Sequence, residues 1–107
     1  MKNNGRCFNI IILNTHLYGD LETSIKGLKG KYAYINHDKS CQDPHHHIYY
    51  IPKKRNISVA DIEKMFKEHI CSNLFVDIAY SDLKTSLSYW IRDEVYSLKD
   101  VKSNIAI

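Results

Sequence analysis

Apolar and polar positions follow a period of two in several short stretches of the chain, the pattern typical of strands. Residues 7–13 form a continuous β-branched run and predict a buried strand. Residues 32–37 and 45–51 predict a second and a third strand, joined by the polar loop 38–44. Residues 74–79 predict a fourth. The chain therefore carries four predicted strands, the middle two close enough in sequence to form a hairpin.

Three other stretches repeat their apolar positions every three to four residues, as amphipathic helices do. Asp20, Ser58 and Asp82 stand at their starts, and side chains of these types accept hydrogen bonds from the free N–H groups of a first helical turn. The predicted inward positions are Leu21, Ile25 and Leu28 in the first helix, Ile62, Met65, Phe66 and Ile70 in the second, and Leu83, Leu87, Trp90 and Ile91 in the third.

The resulting order, β-α-β-β-α-β-α, predicts an α+β fold in a single domain spanning residues 1–107. Right-handed crossovers then favour a ferredoxin-like split β-α-β antiparallel sheet with helices on one face. The second and third strands lie side by side in that sheet. The last helix carries Tyr89 to the edge of the open face.

Four histidines lie at the neighbouring ends of the second and third predicted strands. His45, His46 and His47 open the third strand, and His37 ends the second. Because side chains alternate along a strand, His45 and His47 point one way and His46 the other. A hairpin would bring His37 beside His45 and His47. Three imidazoles with open coordination positions suit a catalytic divalent metal.

Composition and charge restrict the possible functions less than the histidines do. Net charge is +3 at pH 7, which permits a polyanionic partner without requiring one. The three cysteines, Cys7, Cys41 and Cys71, are odd in number and lack CxxC spacing, which favours a reducing, cytoplasmic setting. No apolar run is long enough for a membrane span, and there is no phosphate-binding Gly-rich loop.

Tyr89 is the candidate nucleophile. It lies at the edge of the apolar stripe of the last helix, from where a tyrosine reaches the open face of the sheet. Near a metal site, its hydroxyl is suited to attack a metal-polarised phosphodiester.

At these positions the sequence resembles the HUH endonucleases, in particular the replication initiators of small Gram-positive rolling-circle plasmids. The resemblance is carried by His37-Asp38-Lys39-Ser40, by Pro44 followed by His45–Ile51, and by Tyr89-Trp90-Ile91-Arg92. It extends to the tail at Tyr96, Val101 and Asn104.

The resemblance implies a site-specific DNA nickase and strand transferase. His37, His45 and His47 would bind Mn²⁺ or Mg²⁺, with imidazole ligands favouring Mn²⁺. Tyr89 would form a 5′-phosphotyrosine link and leave a 3′-hydroxyl that primes rolling-circle replication. The partner would be single-stranded or extruded origin DNA in the cytoplasm of a bacterium or other host cell, with no membrane involved. The chain would then be the N-terminal part of a longer initiator that continues after Ile107, and that longer protein could form a homo-oligomer.

Basic residues in two groups are the candidates for contacts with the DNA backbone. They are Lys53, Lys54 and Arg55 after the third strand, and Lys26, Lys29 and Lys31 before the second.

The sequence departs from the family's pattern at two points. The middle motif position, usually a bulky apolar residue, is His46, which we expect to face the helices and to be hydrogen-bonded or near the sheet edge. Ser40 stands where relatives can have an acidic metal ligand, which leaves Asp38 or Asp43 as weaker substitutes. Tyr80 and Tyr96 are fallback nucleophiles, with Tyr80 ranked well below Tyr89.

Two alternatives stay open at this point. A single-tyrosine transposase or viral initiator shares the motif and differs in its DNA target. A non-catalytic nucleic-acid-binding module on the same scaffold would use the histidines for packing or hydrogen bonding only.

Overall fold

A computed structural model describes residues 4–39, 44–92 and 95–105 of the chain, and it has an α+β fold. The strands are β1 (Asn4–Gly5), β2 (Phe8–Ile12), β3 (Lys31–His37), β4 (His45–Ile51), β5 (Ile57–Ser58), β6 (Leu74–Ile78) and β7 (Lys102–Ser103). The helices are α1 (Leu21–Lys26), α2 (Val59–His69) and α3 (Leu83–Trp90), with 3-10 turns at Thr15–Leu17 and Leu98–Asp100.

The main sheet of the described chain is antiparallel throughout, with strand order β6-β2-β4-β3-β7. Its first four strands have the order expected of a ferredoxin-like sheet, since β4 lies between β2 and β3. The predicted adjacency of the histidine-bearing strands is confirmed: His37 pairs with His45, and Ile35 pairs with His47.

Strand alternation divides the core between the two faces of the sheet. One face carries the larger cluster, in which Phe8, Ile10 and Ile12 pack with Ile25 of α1 and Phe66 of α2. The opposite face carries Ala33, Ile35 and Tyr49, covered by Leu87 and Trp90 of α3 and by Tyr96. The crossover helices α1 and α2 thus share a face as predicted, and α3 packs on the other.

The predicted helix starts are confirmed by their caps. Backbone N–H groups of Thr23, Asp61 and Thr85 donate to the side chains of Asp20, Ser58 and Asp82, respectively, at 3.1, 3.1 and 2.8 Å. Each cap satisfies one N–H that has no partner within its helix. Among the described residues, no helix is both long and apolar enough to cross a membrane.

Residues 98–105 form more regular structure than the predicted short tail. β7 adds a strand beside β3, and the Asn104 side chain accepts a hydrogen bond from the Tyr32 N–H (2.7 Å) and donates one to the Gly30 carbonyl (3.0 Å). A further ribbon pairs β1 with β5. The sequence does not predict β1, β5 or β7, because a strand of two residues is too short to show a hydrophobic period.

Gly30 is required by the tight turn into β3. Its φ is +97°, and a Cβ there would lie 2.6 Å from the Ile51 carbonyl oxygen. We expect Gly30→Ala to lower the free energy of unfolding by about 1–3 kcal/mol, because both the backbone conformation and the contact oppose it. Urea unfolding measures the change. Gly19→Ala, where a Cβ would meet nothing within 4 Å, is the matched control and should change stability far less.

Candidate metal centre

Three histidines converge at one end of the β3–β4 hairpin. One ligand nitrogen each from His37, His45 and His47 lies within 4.8 Å of the other two. The ring centroids are 5.2 Å apart for His37 and His45, 4.7 Å for His37 and His47, and 4.9 Å for His45 and His47. The predicted cluster is therefore formed, and its donor set fits a divalent transition-metal ion.

The orientation of His37 is fixed by a hydrogen bond from outside the cluster. Its Nε2–H donates to the Trp90 carbonyl oxygen at 2.9 Å, so that Nδ1 faces His45 Nε2 at 3.4 Å. In metal sites a ligating histidine commonly donates its second ring N–H to a carbonyl or carboxylate, which sets its tautomer. Here the end of α3 has that role.

Aromatic rings hold the cluster from two sides. The ring of Tyr96 lies 4.4 Å from that of His37, and its hydroxyl accepts a hydrogen bond of 2.9 Å from the Lys39 N–H. The indole of Trp90 lies 6.1 Å from His47, with the planes 27° apart. Sequence reasoning missed both roles. The Trp90 carbonyl is a main-chain group and leaves no signal in the sequence. The sequence indicates Tyr96 only as part of the tail and as a fallback nucleophile.

The protonation state of His47 suits coordination. Burial, and then the nearby His37 and His45, lower the pKa of His47 to about 4. Its imidazole is therefore neutral near pH 7, which is the form that binds a metal.

Tyr89 lies in α3 and exposes 64% of its surface. Together with His47, Tyr80 and Trp90 it lines a cavity of about 380 Å³ on the face of the sheet that carries the cluster. Tyr80 is 91% exposed, whereas Tyr96 is 4% exposed and packed on His37. Tyr89 and Tyr80 are thus accessible to a large substrate, and Tyr96 is a packing residue.

The structure does not supply a fourth metal ligand from Asp38, one of the two carboxylates suggested as substitutes for an acidic residue at position 40. Asp38 is not part of the cluster: its carboxylate accepts a hydrogen bond of 3.1 Å from Asn36 Nδ2 and lines a cavity shared with His46. Strand alternation explains this, because Asn36 and Asp38 flank His37 and point away from its face. Ser40 and Asp43 lie outside the described residues.

The six candidate DNA-contact residues are exposed, and five of them lie away from the metal centre. Lys31 pairs with Ile51, at the opposite end of the hairpin from His37 and His45. At about 3.4 Å per residue, the length of β3 puts Lys31 about 20 Å from His37. Lys29 precedes this end of the hairpin, and Lys53, Lys54 and Arg55 follow it.

His46 faces the helix-covered side, as predicted, and its ring stacks at 6.2 Å on that of Tyr34. The expected hydrogen bond is not formed: both ring nitrogens are buried and lack a partner in the described part of the chain. Burial lowers the pKa of His46 to about 4. A buried polar ring without partners opposes folding.

We therefore expect His46→Leu to raise the free energy of unfolding by about 1–3 kcal/mol at pH 7, since it removes two unpaired polar atoms. This gain in the free energy of unfolding should grow as the pH falls from about 6.5 towards 4. In that range the unfolded wild-type chain binds a proton at His46, whereas the folded chain does not. Urea unfolding across this range, with EDTA present, measures it. His69→Leu, at an exposed histidine of α2, should give no such gain.

A comparison of the sequence with protein-family models gave no match, and a search of curated proteins gave none either.

Proposed function

We propose that the chain is a metal-dependent DNA endonuclease of the HUH type, which nicks single-stranded or extruded origin DNA and initiates rolling-circle replication. The observation that carries the proposal is the shared cavity, in which accessible Tyr89 lines the same space as His47 of the histidine cluster. A candidate nucleophile and a candidate metal site thus border one opening on the sheet.

His37, His45 and His47 would hold the ion, with Mn²⁺ favoured over Mg²⁺ by the imidazole ligands. Such an ion supplies Lewis-acid polarisation of the scissile phosphate and stabilises the charge that develops on it. The chain's own contribution is to fix the ligands: the Trp90 carbonyl orients His37, and the Trp90 indole packs on His47.

In the reaction, the Tyr89 hydroxyl loses its proton to solvent and its oxygen bonds to phosphorus. The bond between phosphorus and the 3′-oxygen breaks, and that oxygen takes up a proton to become a free 3′-hydroxyl. The energy of the broken ester is kept in the 5′-phosphotyrosine link, so a 3′-hydroxyl attacking it can reseal or transfer the strand.

The exposed basic residues suit binding of the flanking DNA. Lys29, Lys31, Lys53, Lys54 and Arg55 gather at the far end of the hairpin, about 20 Å from the histidines. At that distance they would contact phosphates well removed from the nick and so add affinity without selecting the base sequence.

A label-transfer assay tests the proposal. The protein is incubated with Mn²⁺ and a random pool of single-stranded DNA labelled at the 3′ end, because the 5′-phosphotyrosine keeps the fragment downstream of the nick. We expect label on the protein that survives denaturing electrophoresis and depends on Mn²⁺, and sequencing of the bound DNA gives the nick site. Reversible DNA binding with no covalent label, although the protein binds Mn²⁺, would instead favour the non-catalytic module.

A further inference from the structure

The exposed aromatic side chains of the described chain gather on one face of the sheet. Of the large apolar residues that the described chain leaves exposed, three are aromatic: Phe75, Tyr80 and Tyr89. The two tyrosines line the cavity beside His47. Phe75 lies on β6, an outer strand of the main sheet, and 64% of its surface is exposed. The nicking reaction proposed above gives Phe75 no role.

The strand register places Phe75 in the same row of the sheet as a proposed metal ligand. Phe75 pairs with Ile11 of β2, and Ile11 pairs in turn with His47 of β4. Directly paired residues of antiparallel strands project from the same face, with Cβ atoms about 5 Å apart. Two such steps put Phe75 about 10 Å from His47, on the face that carries the histidine cluster. Half-buried Ile11 joins Phe75 to the cavity, since Ile11 is part of its lining.

Helix α3 leaves this half of the face open. Its residues Leu87 and Trp90 cover Ala33 of β3 and Tyr49 of β4. The rows of β2 and β6 continue beyond the helix, and Phe75 is at their outer border. The result is an open strip of sheet that begins at the cavity and ends at an exposed aromatic ring.

The chemistry of the strip suits bases better than phosphates. Apart from His47, the described lining of the cavity contains neither basic nor acidic side chains, and its polar groups include the Asn9 amide and several hydroxyls. The exposed carboxylate of Asp77 lies two positions after Phe75 and therefore projects from the same face. A phosphate group would be repelled by Asp77 and would meet no lysine or arginine in the lining. A base carries no charge and has a flat face that stacks on an aromatic ring.

We propose that Phe75 is a stacking platform for one unpaired base of a DNA strand that crosses this face. The inference rests on the part of the proposed function in which single-stranded DNA binds beside the histidine cluster. Stacking about 10 Å from His47 holds a nucleotide close to the scissile phosphate without contact with the reacting atoms. It also selects a single strand, because a base inside a duplex has both of its faces covered by its neighbours.

A cycle that combines protein variants with altered DNA tests the stacking. The probe is a short single strand that spans the nick sequence selected by label transfer, and each nucleotide in turn is replaced by an abasic residue. Fluorescence anisotropy gives the affinity, with EDTA present so that no strand is cleaved. If label transfer gives no nick, the sequence that the protein retains most tightly from the pool takes its place.

We expect one abasic position to weaken binding to the wild type by about 5- to 150-fold, which corresponds to the loss of one base stacked on an aromatic ring. Phe75→Ala should bind the intact strand as weakly, and the same abasic position should cause no further loss in that variant. Phe75→Trp should keep tight binding, whereas Phe75→Leu, which keeps an apolar side chain, should not. Leu17→Ala, at an exposed leucine outside the cavity lining, is the control and should bind like the wild type. Thermal unfolding verifies that each variant is folded.

Two results would each overturn the platform: unchanged affinity in Phe75→Ala, or an equal loss at every abasic position in Phe75→Ala and in the wild type. Sedimentation that shows self-association of the wild type but not of Phe75→Ala, with equal DNA affinity, would instead assign the ring to an interface between two copies of the chain. The outcome for nicking is separate. Covalent label without coupling between Phe75 and a base would reject the platform alone, whereas coupling without label would support the platform and reject the nickase.

Discussion

Tyr89→Phe should abolish covalent capture of DNA and reduce nicking by at least about a thousandfold, because it removes only the oxygen atom that we propose attacks the phosphate. Tyr89 is 64% exposed in α3, so loss of its hydroxyl leaves the core and the histidine cluster untouched. Mn²⁺ binding and thermal stability should therefore stay at wild-type values. The measurement is Mn²⁺-dependent transfer of 3′-labelled single-stranded DNA to the protein, using the sequence selected from the random pool.

Tyr80→Phe is the matched control. Tyr80 is 91% exposed and lines the same cavity, so this variant loses the same hydroxyl group from another accessible side chain. We expect it to retain covalent capture. Label that persists in Tyr89→Phe and disappears in Tyr80→Phe would move the nucleophile to Tyr80. Label that persists in both variants would reject a tyrosine of this cavity.

The fold was predictable to the extent that it depends on long periodic segments. β2, β3, β4 and β6 have enough alternating or continuous apolar residues to be recognised, and Asp20, Ser58 and Asp82 mark the starts of their helices. The pairing of β7 with β3 was not predictable. It depends on the Asn104 side chain, whose bonds to Tyr32 and Gly30 join residues more than seventy positions apart.

The histidine cluster was predictable for a simple reason. Strand alternation puts His45 and His47 on one face, and a hairpin register puts His37 opposite His45. The environment of His46 was not predictable. Alternation gave its direction, but whether a partner met the ring depended on where the start of α1, Asp38 and Pro44 lie around it. They leave a cavity there instead.

α3 connects the two halves of the proposed site. Trp90 accepts a hydrogen bond from His37 through its carbonyl and packs its ring on His47, and Tyr89 is its neighbour in the chain. The Tyr49 hydroxyl donates to the Ser81 carbonyl at 3.2 Å, just before α3 begins. The sheet thus holds α3 at both ends, which fixes the tyrosine relative to the histidines.

His47→Ala should weaken Mn²⁺ binding by more than about 100-fold, because it removes one of the three imidazoles proposed as ligands. Loss of a mere supporting contact to a metal ligand already lowers metal affinity about 10- to 100-fold. His45→Ala should have a similar effect. Both side chains lie at the start of β4 and are partly exposed, so the sheet should remain folded. Calorimetric titration of the chelator-treated protein with Mn²⁺ gives the affinity, and circular dichroism verifies the fold.

His46→Leu is the control within the same motif, since its ring lies on the opposite face of the sheet, against Tyr34. It should retain the wild-type Mn²⁺ affinity, as should His69→Ala on α2. The contrast between positions 45, 46 and 47 separates coordination from a general effect of losing an imidazole on β4. Unchanged affinity in both His45→Ala and His47→Ala would contradict the metal centre. It would leave the cluster as a packing arrangement held by Trp90 and Tyr96.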